Sequence, residues 1–508
     1  MLMGDILRAS ARRAPAAIAL SDGDRTLSYA DFDADSDRLS AALTAAGFAK
    51  GDRVGVMMTN RIEYALLFFA AARAGVVLTH LSTRSTPREI AHLVTKVGIR
   101  ALVVQDDFVA SCAAAEGLGA AWERLIVVGG EADEFQALMR AGGQREPPTL
   151  SPDDLLAINF TGGTTGRPKG VAVSHRARVA SALCASACFG IGAGDVCVVA
   201  TPMFHTVGLY VWFGAIVGVG ATAVLMPGWD ADRFLATAER HAATAALFVP
   251  TQLSDILRVP SFAPGRLAAL RHVHHAGAPM PTALVDRLEA ALPWATLSEH
   301  YGQSETGPVT LRPPEFNRSK RGSIGIPVPG VEARIVDGAG LPCAPGVVGE
   351  LVTRGAHVLA FYWDDREETR HAFRYGDGWL ATGDLGTVDS DGFVTLVDRA
   401  KDMIVSGGEN IYPAELENAL FQHPAVADCA VFGIPDDHWG EVPAAHVVLR
   451  EGLRASAQEL IAHVEREVVR WKRPRVVEFV TALPRTAVGK TRKDVLREPY
   501  WRSRQRRI

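Results

Sequence analysis

An apolar run, LLAINF (Leu155–Phe160), breaks directly into TGGTTGRPKG (Thr161–Gly170), and this junction constrains the chain more than any other stretch. The run reads as a buried strand. Behind the junction, GVAVSHRARVASALCASA alternates like a strand and then turns to a small-residue helical pattern. The ten residues between hold four glycines, three threonines and Lys169. Glycines admit positive φ and let backbone N–H groups face an oxyanion, while threonine hydroxyls and a lysine add donors and a point charge. A surface turn also favours Gly, Thr and Pro, but it has no use for this set of donors. The stretch reads as a mobile phosphate cradle. It is not a Walker A loop, which needs Gly, four residues, then Gly-Lys-Ser/Thr. Pro168 precedes Lys169, and the other candidate, Gly489-Lys490-Thr491, has Pro484 where the first glycine belongs.

Upstream of the cradle, helical and strand patterns alternate. LSYADFDADSDRLSAALTAAG reads as a helix closed by Gly47 and Gly51, DRVGVMMTN as a strand, and RIEYALLFFAAARAGVVLTHL and REIAHLVTKVGIRALVVQDD as helix–strand units. Such alternation predicts a largely parallel α/β sheet covered by helices. Downstream, strands are expected at Asp195–Thr201, Ala221–Met226, Ala245–Pro250 and His272–His275. From about Gly322 short strands and the pairs Asp337-Gly338, Asp377-Gly378 and Asp391-Gly392 predict a β-rich subdomain with hairpins. From about Lys401 a second α+β pattern begins, with helices at Ala414–Phe421 and Ser456–Arg470 and strands at VADCAVFGI, AAHVVLR and VVEFV.

The chain has 508 residues, too many for one core, so at least two domains are expected. A net charge of −4 argues against nucleic-acid partners and against anionic membranes. Six scattered cysteines without a CxxC read as thiols of a reducing, cytoplasmic setting. The N-terminus suits an amphipathic helix, and the basic stretch Trp501–Ile508 a frayed, solvated end. Leu209–Met226 is 18 residues without a charge, but its glycines and β-branched residues fit a buried helix entering a core strand better than a membrane segment. His272, His274 and His275 could suggest a metal site, yet no suitable further ligand is evident near them. Gly218–Ala223 matches a loose GxGxxA fingerprint without a strand-to-helix junction, which supports a nicotinamide-dinucleotide site only weakly.

Seven motifs then follow in order: TGGTTGRPKG, PMFHTVG, HHAGAPMP, YGQSE, GWLATGD, DRAKDMIVSGGENIYPAE and LPRTAVGKTRK. Over nearly the whole chain this series resembles the adenylate-forming superfamily, which includes acyl-CoA synthetases, luciferases and peptide-synthetase adenylation domains. The closing motifs look most like an acyl- or aryl-CoA ligase. The resemblance implies a large N-terminal domain of packed α/β sheets with a β-rich subdomain (1–397), a hinge (398–402) and a small mobile α+β C-terminal domain (403–508). It implies ATP, Mg2+ and coenzyme A, with acid and ATP giving acyl-AMP and pyrophosphate, then CoA displacing AMP. A free-standing adenylation enzyme that loads a carrier-protein thiol is the alternative within the family. A nicotinamide-dependent oxidoreductase or a non-catalytic binding protein are the alternatives outside it. The acid and the oligomeric state, homodimer included, stay open.

Residue roles follow the motif matches. Thr161, Gly162, Gly163, Thr164, Thr165 and Gly166 with Lys169 resemble the loop on the β- and γ-phosphates. Gly162 stands where many relatives carry serine, and Ser304 where threonine is usual. Gly277, Ala278 and Pro279 resemble the segment flanking adenine, and Tyr301 the ring stacked on it. Glu305, with Thr161, is the candidate Mg2+ ligand, a hard-oxygen site. Asp384 resembles the ribose carboxylate, Arg399 its cationic helper, Lys401 the hinge, and Lys490 the lysine bridging the acid and the α-phosphate. His205, Val207, Gly208 and Gly302 are expected at the acyl pocket. Gly408 resembles the glycine of the pantetheine tunnel, with Trp439, Trp471, Arg473, Arg475 and Arg84 toward the nucleotide end of coenzyme A.

Overall fold

Local signals set the first helix–strand units. Thr86 caps the helix Pro87–Val97, and the Glu89 carboxylate returns to the Thr86 N–H at 2.7 Å. Gly98 ends that helix in the left-handed region (φ 66°), and the chain enters the strand Ala101–Gln105. The helix Ile62–Ala74 has no polar face and is buried on every side. Only a position between two apolar layers suits such a helix.

The computed structural model describes residues 1–131, 133–143, 148–161, 169–278, 280–399, 402–407, 409–485 and 491–502. One layer is a seven-stranded sheet with neighbours in the order 361–362, 169–174, 155–161, 77–80, 53–57, 101–105 and 124–128. The other has nine strands, in the order 326–327, 307–312, 296–303, 272–276, 245–248, 196–199, 222–225, 18–22 and 25–28. The centre of each is parallel; both edges of the nine-stranded sheet are antiparallel, whereas the seven-stranded sheet is antiparallel only at its 361–362 end and closes at 124–128 with a parallel pair. The largest core fills the space between them, joining Val54, Leu78 and Val103 of one sheet to Leu20, Cys197 and Leu247 of the other. The run from Leu209 follows the buried-helix expectation. It is π-helical at Val207–Phe213, α-helical at Gly214–Val219, turns at left-handed Gly220 and continues as the strand Thr222–Leu225. Among the described residues no helix is long and apolar enough to cross a membrane. The GxGxxA match therefore spans a helix-to-strand turn, the reverse of the polarity that a dinucleotide turn needs.

The β-rich segment is an antiparallel sheet of four strands, ordered 331–336, 349–355, 380–388 and 394–399. Asp337-Gly338 and Asp391-Gly392 sit at hairpin turns between paired strands. Asp377-Gly378 does not. It joins the helix Arg366–Ala372 to the strand Leu380–Val388 through φ values of 48° and 74°. Asp-Gly supplies positive φ wherever a turn needs it, so the dipeptide does not identify the elements on either side.

The C-terminal unit has a five-stranded sheet with its own apolar clusters on two faces, one around Leu416 and Val431, the other around Phe432 and Leu483. The helix expected over Ser456–Arg470 ends at Glu467; Val468 leaves in extended conformation, and Arg470–Lys472 form a separate 3₁₀ turn. Trp501 is not a frayed end. It closes the helix Lys493–Trp501, and its indole N–H donates to the Gly433 carbonyl at 3.1 Å. Residues 503–508 lie outside the described residues. All six cysteines are free thiols.

Candidate active site

Strand β1 (Leu155–Thr161) pairs antiparallel with β2 (Lys169–Ser174), and Thr161 stands directly opposite Lys169. Both ends of the cradle are thus strand residues. Gly162, Gly163, Thr164, Thr165 and Gly166 lie outside the described residues, as do Pro279, Lys401, Gly408 and Lys490. The Lys169 ammonium forms an ion pair with Glu368 and lies 5.5 Å from the centre of the Tyr362 ring. Glu368 is held in the first turn of the helix Arg366–Ala372 by its N-cap, Asp365.

The Tyr362 hydroxyl donates to Glu305 Oε1 at 3.0 Å, and the Leu359 N–H to the Glu305 carbonyl at 2.6 Å. Burial, then the Glu305 charge, raises the Tyr362 phenol above its usual range, so the hydroxyl stays protonated as a donor. Among the described residues no lysine or arginine forms an ion pair with Glu305. Glu305 and Thr161 each carry an oxygen donor of the kind that a hard cation takes. By contrast, His274 and His300 are both bonded to Ser298, and no group of three or more His, Cys, Asp or Glu able to hold a metal occurs among the described residues.

Glu305 sits on the tight turn between β3 (Thr296–Gln303) and β4 (Gly307–Arg312). The Gln303 N–H donates to the Thr306 hydroxyl at 3.0 Å, and Gly307 turns with φ 65°. A Cβ on Gly302 would stand 1.8 Å from the Gly307 carbonyl oxygen. Gly302 therefore closes the turn, whatever it lines. Gly302→Ala is expected to cost roughly 1–3 kcal/mol, the range for forced backbone shifts, and to lower ATP use by moving Glu305. Chemical denaturation and pyrophosphate release would check the two parts.

The same turn reaches the β-rich sheet. Asp384 on β5 (Leu380–Val388) faces Arg399 on β6 (Val394–Arg399) in register, with Arg399 Nε 3.1 Å from Oδ1. Oδ2 accepts from the Tyr301 hydroxyl at 2.5 Å and from Gln303 Nε2 at 2.8 Å. Asp384 is buried, so these three donors are what keep its charge soluble in the site. Gly277 (φ 86°) and Ala278 leave the strand His272–Ala276, which runs parallel to β3 and so brings them beside Tyr301.

His205 follows the strand Val196–Val199, where Asn60 accepts from the Met203 N–H and donates to the Val199 and Thr201 carbonyls. Val207 is half-buried, whereas Gly208 is buried with Pro202 O 2.3 Å from where a Cβ would be. Beneath them runs a buried polar chain. The Tyr210 hydroxyl donates to Asn159 Oδ1 (3.2 Å), and Asn159 Nδ2 to the Thr206 hydroxyl (2.9 Å). That leaves His80 Nε2 to donate to Tyr210 and His80 Nδ1 to accept from Tyr64, both at 2.7 Å. Burial pulls His80 down to about 3, consistent with this neutral tautomer.

The residues matched to coenzyme A are spread more widely. Exposed Trp439 covers Gly407, whose N–H donates to the Trp439 carbonyl at 2.8 Å. Trp471 is exposed on the 3₁₀ turn; Arg473 pairs with Glu465 at 2.6 Å, and the Arg475 N–H donates to the Pro443 carbonyl at 2.7 Å. Arg84 is exposed on the turn before Thr86. Sequence reasoning missed Gln303, Tyr362, Glu368, Asn60 and Asn159. Gln303 alone carried a local signal, inside YGQSE; the others meet the site only through contacts distant in sequence.

Known proteins resemble the chain over most of its length. The family model described as AMP-binding enzyme matches residues 7–363, and that described as AMP-binding enzyme C-terminal domain matches residues 415–490. A feruloyl-CoA synthase of Amycolatopsis sp is 35% identical, over 96% of this chain and 97% of its own. The fatty acid–[acyl-carrier-protein] ligase ScoC of Streptomyces coeruleorubidus is 33% identical, over 95% and 93%. Among solved structures, ATP-bound MatB from Rhodopseudomonas palustris superposes with a TM-score of 0.90 at 29% identity, covering 98% of this chain and 99% of that one. With both family models matched in order along one chain, this protein belongs to the AMP-binding enzyme family.

Proposed function

We propose that this protein is an ATP-dependent carboxylic acid–CoA ligase. The acid's carboxylate attacks the α-phosphate of ATP and pyrophosphate leaves, giving the acyl-adenylate. The thiol of coenzyme A then attacks the acyl carbon and AMP leaves, giving the thioester. One observation carries the reading. A continuous series of contacts runs from Arg399 through Asp384 and Gln303 to the Glu305 turn, and on through Tyr362 to Lys169. Ribose-type acceptors and phosphate-type donors thus belong to one polar site.

In this reading Asp384 accepts from the ribose hydroxyls, with Arg399 beside it, and the Tyr301 ring lies against adenine flanked by Gly277, Ala278 and Pro279. Thr161–Gly166 and Lys169 hold the β- and γ-phosphates. Lys169 must then exchange its ion pair with Glu368 for the nucleotide. Glu305 and Thr161 would hold Mg2+, which supplies positive charge against phosphate oxygens. Lys490 would meet the acid and the α-phosphate. His205 and Val207 border the acid. Rotation of the C-terminal unit about Lys401 would then present Gly408, with Trp439, Trp471, Arg473, Arg475 and Arg84 toward coenzyme A. Six free thiols suit a reducing, cytoplasmic setting.

The test is to incubate enzyme, ATP and coenzyme A with a panel of aryl, short-chain and medium-chain acids, following pyrophosphate, AMP and thioester. Failure of every acid to release pyrophosphate would sink the proposal. The similarity to ScoC favours a second reading, transfer to a carrier-protein thiol. Thioester on a phosphopantetheinylated carrier protein, with none on coenzyme A, would select it. Lys169→Ala is expected to weaken ATP use in the first half-reaction by roughly 10- to 100-fold, the value of a charge-assisted hydrogen bond. Thioester formation from a supplied acyl-adenylate should be unchanged; equal damage to both halves would remove Lys169 from the phosphate site.

A further inference from the structure

Arg178 is a charged residue that the roles above leave unused. It lies on the helix His175–Cys188, behind the turn that carries Glu305, and is fully buried. Its Nη2 donates to the Ser304 carbonyl at 2.5 Å, and its Nη1 reaches the Ser181 hydroxyl only at 3.5 Å. Nε is buried without a hydrogen-bond partner. Among the described residues no carboxylate forms an ion pair with it. The guanidinium instead lies 4.9 Å from the centre of the Tyr210 ring.

Burying a cation this incompletely paired is costly, and an apolar side chain would fill the space without that cost. Its charge therefore has to act on something nearby. Two features converge on the Glu305 turn. Ser304, whose carbonyl takes the one strong hydrogen bond, is the residue before Glu305. The Glu305 charge is also among the influences acting on the guanidinium. Burial lowers Arg178 to about 10, which leaves it protonated at neutral pH. The bond is also packed in place. Ser181 lies 2.4 Å, and Arg178 Nη1 3.3 Å, from where a Cβ on Gly307 would be, so the end of the turn seats directly on the helix.

We infer that Arg178 is a positioning residue that, by holding the Ser304 carbonyl from behind, aims the Glu305 carboxylate at the nucleotide-bound cation. The inference rests on the reading of Glu305 as the carboxylate for that cation. Arg178 touches neither acid nor nucleotide in this role; it sets the direction of the neighbouring side chain. Lysine at 178 keeps the charge but has no planar fork to hold the carbonyl in a fixed direction, so it should restore the function only in part.

The experiment uses full-length Arg178→Met, Arg178→Lys and Glu305→Gln proteins. Mn2+ binding in the presence of ATP, without acid, is measured by water-proton relaxation, and adenylate formation is titrated with Mg2+. Arg178→Met is expected to raise both the Mn2+ dissociation constant and the half-saturating Mg2+ about tenfold, the loss of one strong hydrogen bond. Arg178→Lys should raise them about threefold. Thioester formation from supplied acyl-adenylate should change less than twofold in either variant. If Glu305→Gln shifts the metal dependence and folded Arg178→Met does not, the inference is wrong while the Glu305 reading stands. If Glu305→Gln shifts nothing, both fall. Should Arg178→Met fail to fold, Arg178→Lys carries the test, and an unshifted metal dependence there overturns the inference.

Discussion

Between pH 6.5 and 5 the protein is expected to lose most of its folding stability. Six imidazoles, those of His80, His175, His274, His275, His300 and His357, are buried in the folded chain. Burial is the main cause that lowers each of them: His80 and His300 to about 3, His175 and His357 to about 4, His274 and His275 well below their usual value. In the unfolded chain each titrates near 6.5. A folded-state pKa below the unfolded one means that the unfolded chain binds the extra proton. The stability these groups preserve is therefore complete above pH 6.5 and is lost as pH falls toward 4. Two carboxyls oppose them, because burial raises Glu299 to about 7 and Asp398 to about 6 and so keeps their protons on the folded chain. For these eight groups the net uptake on unfolding grows from about two protons at pH 6.5 to about four near pH 5.5, where it amounts to about 5 kcal/mol per pH unit. A typical domain has only about 5–15 kcal/mol to lose. Denaturant midpoints measured at pH 7.5, 6.5 and 5.5 should fall steeply over the last interval; a flat profile would mean that these histidines are not neutral and sealed.

Lys490→Ala should reduce acyl-adenylate formation by roughly 100- to 1,000-fold, the effect of removing one fixed donor from developing oxyanion charge. In the proposed cycle the bond between acid and α-phosphate forms as pyrophosphate leaves, and a lysine touching both oxygens would be most valuable at that point. Lys490 lies in a stretch whose ends are tied together, with Arg485 pairing Thr491 in a bridge and its guanidinium on Asp428. The substitution should therefore leave the neighbouring sheet intact. Thioester formation from supplied acyl-adenylate uses another face of the same unit in the proposed cycle, and should change less than twofold. Burst measurements of pyrophosphate release and thioester formation separate the two halves. Equal loss in both would overturn the division of labour between Lys490 and Gly408.

The assignments that held were those written into short stretches of chain. The strand before Thr161, the buried run after Leu209 and the helix capped by Thr86 follow from periodicity and capping residues a few positions apart. Asp384 and Arg399 each stand in a compact motif. Their pairing follows from a hairpin that its Asp391-Gly392 turn already announced. Where local signals were ambiguous, the expectations failed: Asp377-Gly378 as a hairpin, Trp501 as a loose end, and the helix carried on to Arg470.

By itself, then, the sequence determined the order of elements, the two-part architecture and the residue types available for the proposed phosphate, ribose and cation contacts. These depend on interactions within a few residues, where periodicity and backbone preference act directly. The tertiary structure alone decided what stands behind each group. It pairs Lys169 with Glu368, sets Tyr362 on Glu305, and buries Arg178 against Ser304. Such contacts join strands and helices far apart in the chain, and their energies come from burial and desolvation, which exist only once the sheets have packed.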